Sequence, residues 1–390
     1  MNGDGIPRHR LNDYTNESAA QRRDYIKAKT GVTFDHVSQF STDPGAVNGN
    51  CENFIGMIQM PLGIAGPILV NGEYASGEFY VPLATTEGTL VASYNRGMRA
   101  IRESGGVKTT VVDDFMQRAP SYRFGDAREA RAFGEWIDTN FEKIKAVADA
   151  TSSVGRLQFI QQWSMHDRLY TRFNYTTGDA AGQNMVSRAT HGACNWIAEH
   201  YPGNIIEYVF GGPLDSDKRH SQMNMIHSRG KRVIAELRLK KNVIENHFRT
   251  SAKKLVEIRQ SSNIGAALSA PAYNGPHSAN GIAAFFIATG QDEANVVESH
   301  AGNVYAEALD NGDLYWSLTL PSLIVASYGG GTGLPTQREC LEMMGCYGKG
   351  KARKLAEIVA ATVVAGDISL SSAAQADEFV QSHETYGRNR

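Results

Sequence analysis

Glu87 stands in Ala-Thr-Thr-Glu-Gly (84–88), a carboxyl group flanked by small residues. Such surroundings could desolvate it and keep it protonated near neutral pH, ready to act as an acid. A glutamate that merely favours a helix N-terminus is the commoner origin of the same pattern. Arg96, Arg99 and Arg102 recur at three-residue steps downstream. They could present a fork of cations to phosphates, although a solvated helix face is the commoner explanation. Asp215, Asp217, Lys218 and Arg219 follow Gly211-Gly212 in a predicted loop. Asp292 ends an apolar helix, and His383 stands near the C-terminus before Gly387 and Arg388. Taken singly, each has a plain structural account: a surface charge cluster, a loop residue, an idle terminal histidine.

The usual fingerprints of nucleotide and nucleophile chemistry are missing. Gly329, Gly330 and Gly331 are followed by Thr332, Gly333 and Leu334, which breaks the GxGxxG spacing, and no GxSxG or Walker pattern occurs. Cys51, Cys194, Cys340 and Cys346 are widely spaced with no CxxC pair, so reduced thiols are expected and no metal. Cys51 and Cys340 also lack an evident histidine partner, which argues against thioesterase or acyltransferase chemistry. Lys plus Arg number 39 against 41 Asp plus Glu, a formal charge of -2, which gives no basic excess for nucleic acid. Any anionic ligand must therefore meet a local basic cluster. The N-terminal residues carry no apolar h-region, and the runs IAAFFIA (282–288) and IVAATVVAG (358–366) are too short to cross a bilayer. A cytoplasmic protein without membrane attachment is the expectation.

With 390 residues, two or three domains are expected. Residues 107–214 have an order of their own. VKTTVVDD (107–114) reads as a strand; Asp126 caps a helix running to about Ala150, with Phe133, Ile137, Phe141, Ile144 and Val147 on one face. The strand-like runs 157–165 and 168–175 are joined by a tight His-Asp turn, a helix follows over 180–201, and 204–210 closes as a strand. The order β-α-β-β-α-β is that of a ferredoxin-like unit, inserted into a larger domain made of residues 1–106 and 215–390. The larger domain has a helical candidate over 83–106, with Leu90, Tyr94, Met98 and Ile101 on a repeating face. A second, over 351–366, is apolar all round, as a buried central helix must be. The expected class is α+β: a large helical domain around a central helix, with the ferredoxin-like insertion.

In this order along the chain, the segments resemble the hydroxymethylglutaryl-CoA reductase family. CENFIG (51–56) resembles an ENVIG element that lies at the family's dimer contact, and VPLATTEGTLVASYNRGMRAI (81–101) its most recognisable stretch. VVDDFMQRAP (111–120), TTGDAAGQNM (176–185), DSDKR (215–219), YNGPHSANG (273–281), ATGQDEAN (288–295), LPSLIVASYGGGTGLP (320–335) and SHETYGR (382–388) complete a match over nearly all the chain from about residue 50. The resemblance implies a nicotinamide-binding insertion without a Rossmann motif, and reduction of an acyl-CoA thioester to an alcohol by two hydride transfers. It implies a homodimer or higher homo-oligomer with active sites at the subunit interface.

By the same resemblance Lys218 stabilises the oxyanion, Glu87 supplies a proton, Asp292 lies between them, and His383 on a mobile tail protonates the departing CoA thiolate. Arg118 and Asn280 contact the acyl substrate, and Ser93, Asn95, Arg96 and Arg99 meet coenzyme A. Asp179, Gln183, Asn184 and Met185, with Ser153, Arg156 and Arg388, border the dinucleotide, whose pyrophosphate suits the helix N-terminus there. Departures are specific. Ala181 and Gln183 replace methionines of the animal enzymes' DAMGMNM, and Ser153 falls where a 2′-phosphate-reading arginine is expected. The resemblance implies NADPH as the cofactor, and the missing arginine, with Arg156 close by, leaves NADH possible. No lysine occurs in QSSNIGAA (260–267), where the family carries one for the substrate carboxylate, and Arg259 is the nearby cation. The expected reaction is conversion of 3-hydroxy-3-methylglutaryl-CoA to mevalonate and free CoA. The same chemistry on another 3-hydroxyacyl-CoA, the oxidative direction with NAD, and a CoA-binding pseudoenzyme are the alternatives.

Overall fold

The computed structural model describes residues 5–271 and 273–373. Its strands are β1 (Leu62–Gly72), β2 (Ser76–Ala84), β3 (Val107–Arg118), β4 (Ser121–Arg123), β5 (Arg156–Met165), β6 (Arg168–Thr176), β7 (Glu207–Val209), β8 (Gly230–Leu239), β9 (Asn303–Ala308) and β10 (Leu314–Leu323). They divide at β3. Lys108–Phe115 pairs antiparallel with β8, and the ladder continues through β10 to β9. The β1–β2 hairpin joins alongside Val107–Thr109. Met116–Arg118 instead pairs with β6, in a second sheet of order β7-β4-β6-β5.

The helices are α1 (Asn16–Thr30), α2 (Leu90–Glu103), α3 (Ala127–Thr139), α4 (Phe141–Asp149), α5 (Gln183–His200), α6 (Gln222–Ile226), α7 (Lys241–Phe248), α8 (Ala252–Ser269), α9 (Ser278–Thr289), α10 (Val296–Ser299), α11 (Pro335–Met343) and α12 (Ala352–Ala373). The fold is α+β. Around the second sheet, α3, α4 and α5 bury Phe133, Ile137, Ile144, Val186, Ala193 and Ile197 against Leu157, Phe173 and Tyr175. The order β7-β4-β6-β5 with helices on one face is the ferredoxin-like arrangement. The larger core gathers on α12, whose Ile358, Val359, Val363, Val364 and Ile368 meet Tyr94, Met98, Val233, Trp316 and Phe285.

Local chemistry accounts for where the elements differ from the sequence expectation. The helix expected over 126–150 is two, because Asn140 departs from helical geometry between α3 and α4. Asp126 caps the first through the amides of Arg128 and Glu129, as read. The helix expected from residue 83 begins at Leu90; residues 83 and 84 finish β2, so Glu87 sits in the connection. The strand expected at 107–114 exists, but its ladder partner is β8 of the larger sheet. The larger core thus carries a sheet as well as helices. α12 is longer than its apolar run and is long and apolar enough to cross a membrane by composition, yet nearly all of it is buried in the core.

Two contacts fix α12. At Gly97 a Cβ would stand 1.9 Å from the Ala365 carbonyl oxygen, so only glycine lets α2 cross α12 backbone to backbone. Buried Glu357 accepts the amides of Glu73, Tyr74 and Ala75, which seats the β1–β2 turn on the same helix.

Candidate active site

Lys218 and Asp292 come from distant loops and meet: Nζ lies 2.9 Å from Oδ2. The hydrogen bond to Asp292 raises the Lys218 pKa above the ordinary lysine value, against the desolvation that would lower it. The ammonium therefore keeps its proton at working pH and acts as a fixed cation rather than an acid. Lys218 sits in a left-handed conformation, φ 52°, two residues after Ser216 at φ 50°. Asp217 pairs with both Arg118 and buried Arg229. Arg118, read as a substrate contact, spends its guanidinium on Asp215, Asp217 and Ser187 Oγ.

Asp292 borders a cleft of about 540 Å³ walled by Ala181–Met185, Gln291, Asn295, Tyr328–Thr332 and Gln337. Gly182, at φ 91°, precedes α5, and no side chain caps the helix there. The first-turn amides of Gln183, Asn184 and Met185 are thus open to an anion at the cleft wall. The loop carrying Ser153 and Arg156 packs on the same wall: a Cβ at Gly155 would stand 2.7 Å from Met185 Sδ. Arg156 donates to the carbonyls of Ser152, Ser153 and Gly155, holding that loop, while Ser153 is exposed.

Asp179, read as a dinucleotide contact, engages backbone amides in this structure. Its carboxylate accepts the amides of Gly350, Lys351 and Ala352, capping α12. It ties the segment just before α5 to the N-terminus of the central helix. Arg259, the cation near the missing lysine, does not line the cleft that Asp292 borders. It is buried, with Nη2 on the Asn274 carbonyl and its guanidinium over Trp316.

Glu87 is exposed rather than desolvated, and its carboxylate accepts Asn280 Nδ2 at 3.1 Å. Asn280 lies in the first turn of α9, and Asp292 lies just past that helix's C-cap, Gly290. At 1.5 Å per residue the two are roughly 10–15 Å apart along the axis. Within one chain, Glu87 and Lys218 therefore stand at opposite ends of α9.

A second cleft, of about 480 Å³, is lined by Ala92, Asn95, Arg96, Arg99, Asn246, His247 and Arg249. Ser93 Oγ and the Arg96 guanidinium bond to Ser369 on α12, and Arg99 pairs with Glu103. The three-residue spacing of the arginines thus serves a concave basic surface. Arg249, His247 and Asn246 were not singled out in the sequence; they arrive from α7 and the turn after it, and only folding makes them neighbours. His383 and Arg388 lie outside the described residues.

The family model for hydroxymethylglutaryl-coenzyme A reductase matches residues 18–388. The chain belongs to the hydroxymethylglutaryl-CoA reductase family. It is accordingly an oxidoreductase. Among its relatives is a 3-hydroxy-3-methylglutaryl-coenzyme A reductase of Methanocaldococcus jannaschii, 46% identical over 373 residues, 94% of this chain and 92% of that protein. Another, from Pyrococcus abyssi, is 42% identical over 98% of this chain and 97% of the relative. The fold is also that of the reductase of Streptococcus pneumoniae, at a TM-score of 0.70 and 20% identity over 94% of this chain and all of that one. A second structure of that organism's enzyme, described as a class II reductase bound to NADPH in open conformations, superposes at 0.69.

Besides the second cleft, the sequence reading missed the buried frame behind the family's DSDKR loop. Arg229 and Glu298 are both fully buried and paired at 3.3 Å, and Glu298 accepts the Lys218 amide. Arg229 stands in an unremarkable Ser-Arg-Gly-Lys and Glu298 in Val-Val-Glu-Ser, where neither spacing nor composition signals burial.

Proposed function

We propose that this chain reduces 3-hydroxy-3-methylglutaryl-CoA to mevalonate and free CoA, with NADPH as the preferred cofactor. The observation that carries this is the Lys218 ammonium held on Asp292 at the border of the cleft that opens on the α5 amides. The relatives named above act, by name, on the same thioester. The dinucleotide would lie against Gln183, Asn184 and Met185, with Ser153 and Arg156 near its ribose end, so residues 107–214 would form the nicotinamide-binding unit. When bound it supplies two successive hydrides, to the thioester carbon and then to the aldehyde carbon. Lys218 meets the negative charge that grows on the carbonyl oxygen, and Asp292 keeps it charged and aimed. The proton for that oxygen comes from Glu87. His383 protonates the CoA thiolate, so that it leaves as a thiol. CoA phosphates suit the Arg96–Arg99 cleft.

The site is completed by two chains. Glu87 and Lys218 lie apart in one protomer and both are exposed. Leu62 and Ile64 on β1, Tyr80 on β2, Ile58, and Ile264 and Leu268 on α8 are exposed large apolar residues that a second chain could cover. Glu87 of the partner subunit would then face Lys218.

Lys218→Ala is the direct test. Because the cation serves charge that appears only in the transition state, kcat should fall at least about a hundredfold while acyl-CoA binding persists. Near-normal turnover, followed by NADPH absorbance and released thiol, would refute the assignment.

A further inference from the structure

Gln183 opens α5 at the wall of the dinucleotide cleft, and its side chain does not end there. Its Nε2 donates to Asn295 Oδ1 at 2.8 Å. Asn295 Nδ2 donates in turn to Glu298, at 3.4 Å from each carboxylate oxygen. Glu298 Oε1 accepts the backbone amide of Lys218 and, at 3.3 Å, Arg229 Nε. Asn295, Glu298 and Arg229 are at most 1% exposed, so the middle of the series is shielded from solvent.

The far end of this series is gripped from both sides. Arg229 Nη2 holds Asp217 Oδ1 at 2.5 Å, and its Nη1 donates to the carbonyls of Gln117 and Asp215. Residues 217 and 218 thus hang on one buried ion pair, the first by its side chain and the second by its amide. Left-handed conformations at Ser216 and Lys218 persist only where the surroundings over-determine them. The donor directions run one way, from Gln183 through Asn295 to Glu298. Reversing either amide would set oxygen against oxygen.

We propose that Gln183, Asn295 and Glu298 form a positioning relay that sets the Lys218 backbone from the wall of the nicotinamide cleft, so that a dinucleotide engaging the Gln183 amide also adjusts the cation that meets the substrate. None of the three is a catalytic residue; they act through Lys218. The relay rests on the reading of Lys218 given above.

The test uses the full chain with Gln183→Met, Asn295→Asp, the double variant and Lys218→Ala. Gln183→Met removes one hydrogen bond at similar volume. Asn295→Asp keeps the acceptor for Gln183 but turns an oxygen toward Glu298. Each single variant should lower kcat for thioester reduction about tenfold, as expected for a displaced catalytic group, with KM for acyl-CoA changed less than about twofold. Links in series also predict that the double variant is no slower than Asn295→Asp alone, whereas residues acting separately would multiply their losses. Thermal melting and NADPH fluorescence titration confirm folding and cofactor binding for each. Multiplied losses, or unchanged kcat in the single variants while Lys218→Ala is inactive, overturn the relay alone. An active Lys218→Ala takes down the reading of Lys218 and the relay with it.

Discussion

Lys218 shows how one residue's chemistry is made by its neighbours. Its raised pKa comes first from the Asp292 hydrogen bond, so the pair provides a permanent cation, and the proton must come from elsewhere. A second pair of groups lies deeper and titrates in opposite senses. Burial pushes the His277 imidazole from 6.5 down to about 4, and pushes Asp367, which accepts the His277 amide, from 3.8 up to about 7. The stability that neutral His277 contributes is complete above its unfolded value and is lost as pH falls through about 4. The contribution of protonated Asp367 is complete below its unfolded value and is lost as pH rises through about 7. Between these limits the two slopes oppose. Asp367→Asn should therefore melt at steeply lower temperature as pH drops from 6.5 to about 4, and His277→Gln should melt at higher temperature over the same window, with the parent between them. Melting curves at several pH values decide it; parallel profiles for all three proteins would mean neither group titrates there.

At the scale of elements, backbone proximity rather than side-chain volume sets the frame. α2 carries Asn95, Arg96 and Arg99 on one side and crosses α12 at Gly97 on the other, so the second cleft's position depends on that crossing. Gly97→Ala must push a methyl into the Ala365 carbonyl. A loss of about 2–3 kcal/mol is expected for such overpacking, with weakened CoA binding because the arginines move with the helix. Gly192→Ala, in the middle of α5, meets only Thr151 Cγ2 at 3.5 Å and should be neutral or slightly stabilising. Chemical denaturation of the two variants separates close approach from ordinary helix propensity. An unaltered Gly97→Ala protein would show that the helices can part without cost.

At the scale of the whole molecule, the separation of Glu87 from Lys218 makes a prediction about assembly. Glu87→Gln and Lys218→Ala homodimers should each be inactive. Unfolded together and refolded as a mixture, they form mixed dimers in which one site carries both lesions and the other neither. Random pairing should then restore about a quarter of the parental activity. If both residues of a site came from the same chain, every site would keep a lesion and no activity would return.

The sequence by itself determined the family, the fold class and the oxidoreductase class, because these rest on residue types in a fixed linear order. The ferredoxin-like pattern, the apolar central helix and the Lys218, Asp292 and Glu87 motifs all belong to that order. Helix ends such as Leu90 and the break at Asn140 were less legible, since tertiary packing overrides local propensity at boundaries. Tertiary structure alone decided what each polar group touches. Asp179 reads as a cofactor contact in its glycine-rich motif, but the fold brings the open amides of α12 to it. Arg259 reads as a spare cation, but Trp316 and the Asn274 carbonyl bury it. Arg229 and Glu298 carry no local signature, because a buried ion pair is made by contacts between segments far apart in the chain. Those contacts form only when the core closes and removes the water that would otherwise solvate each charge.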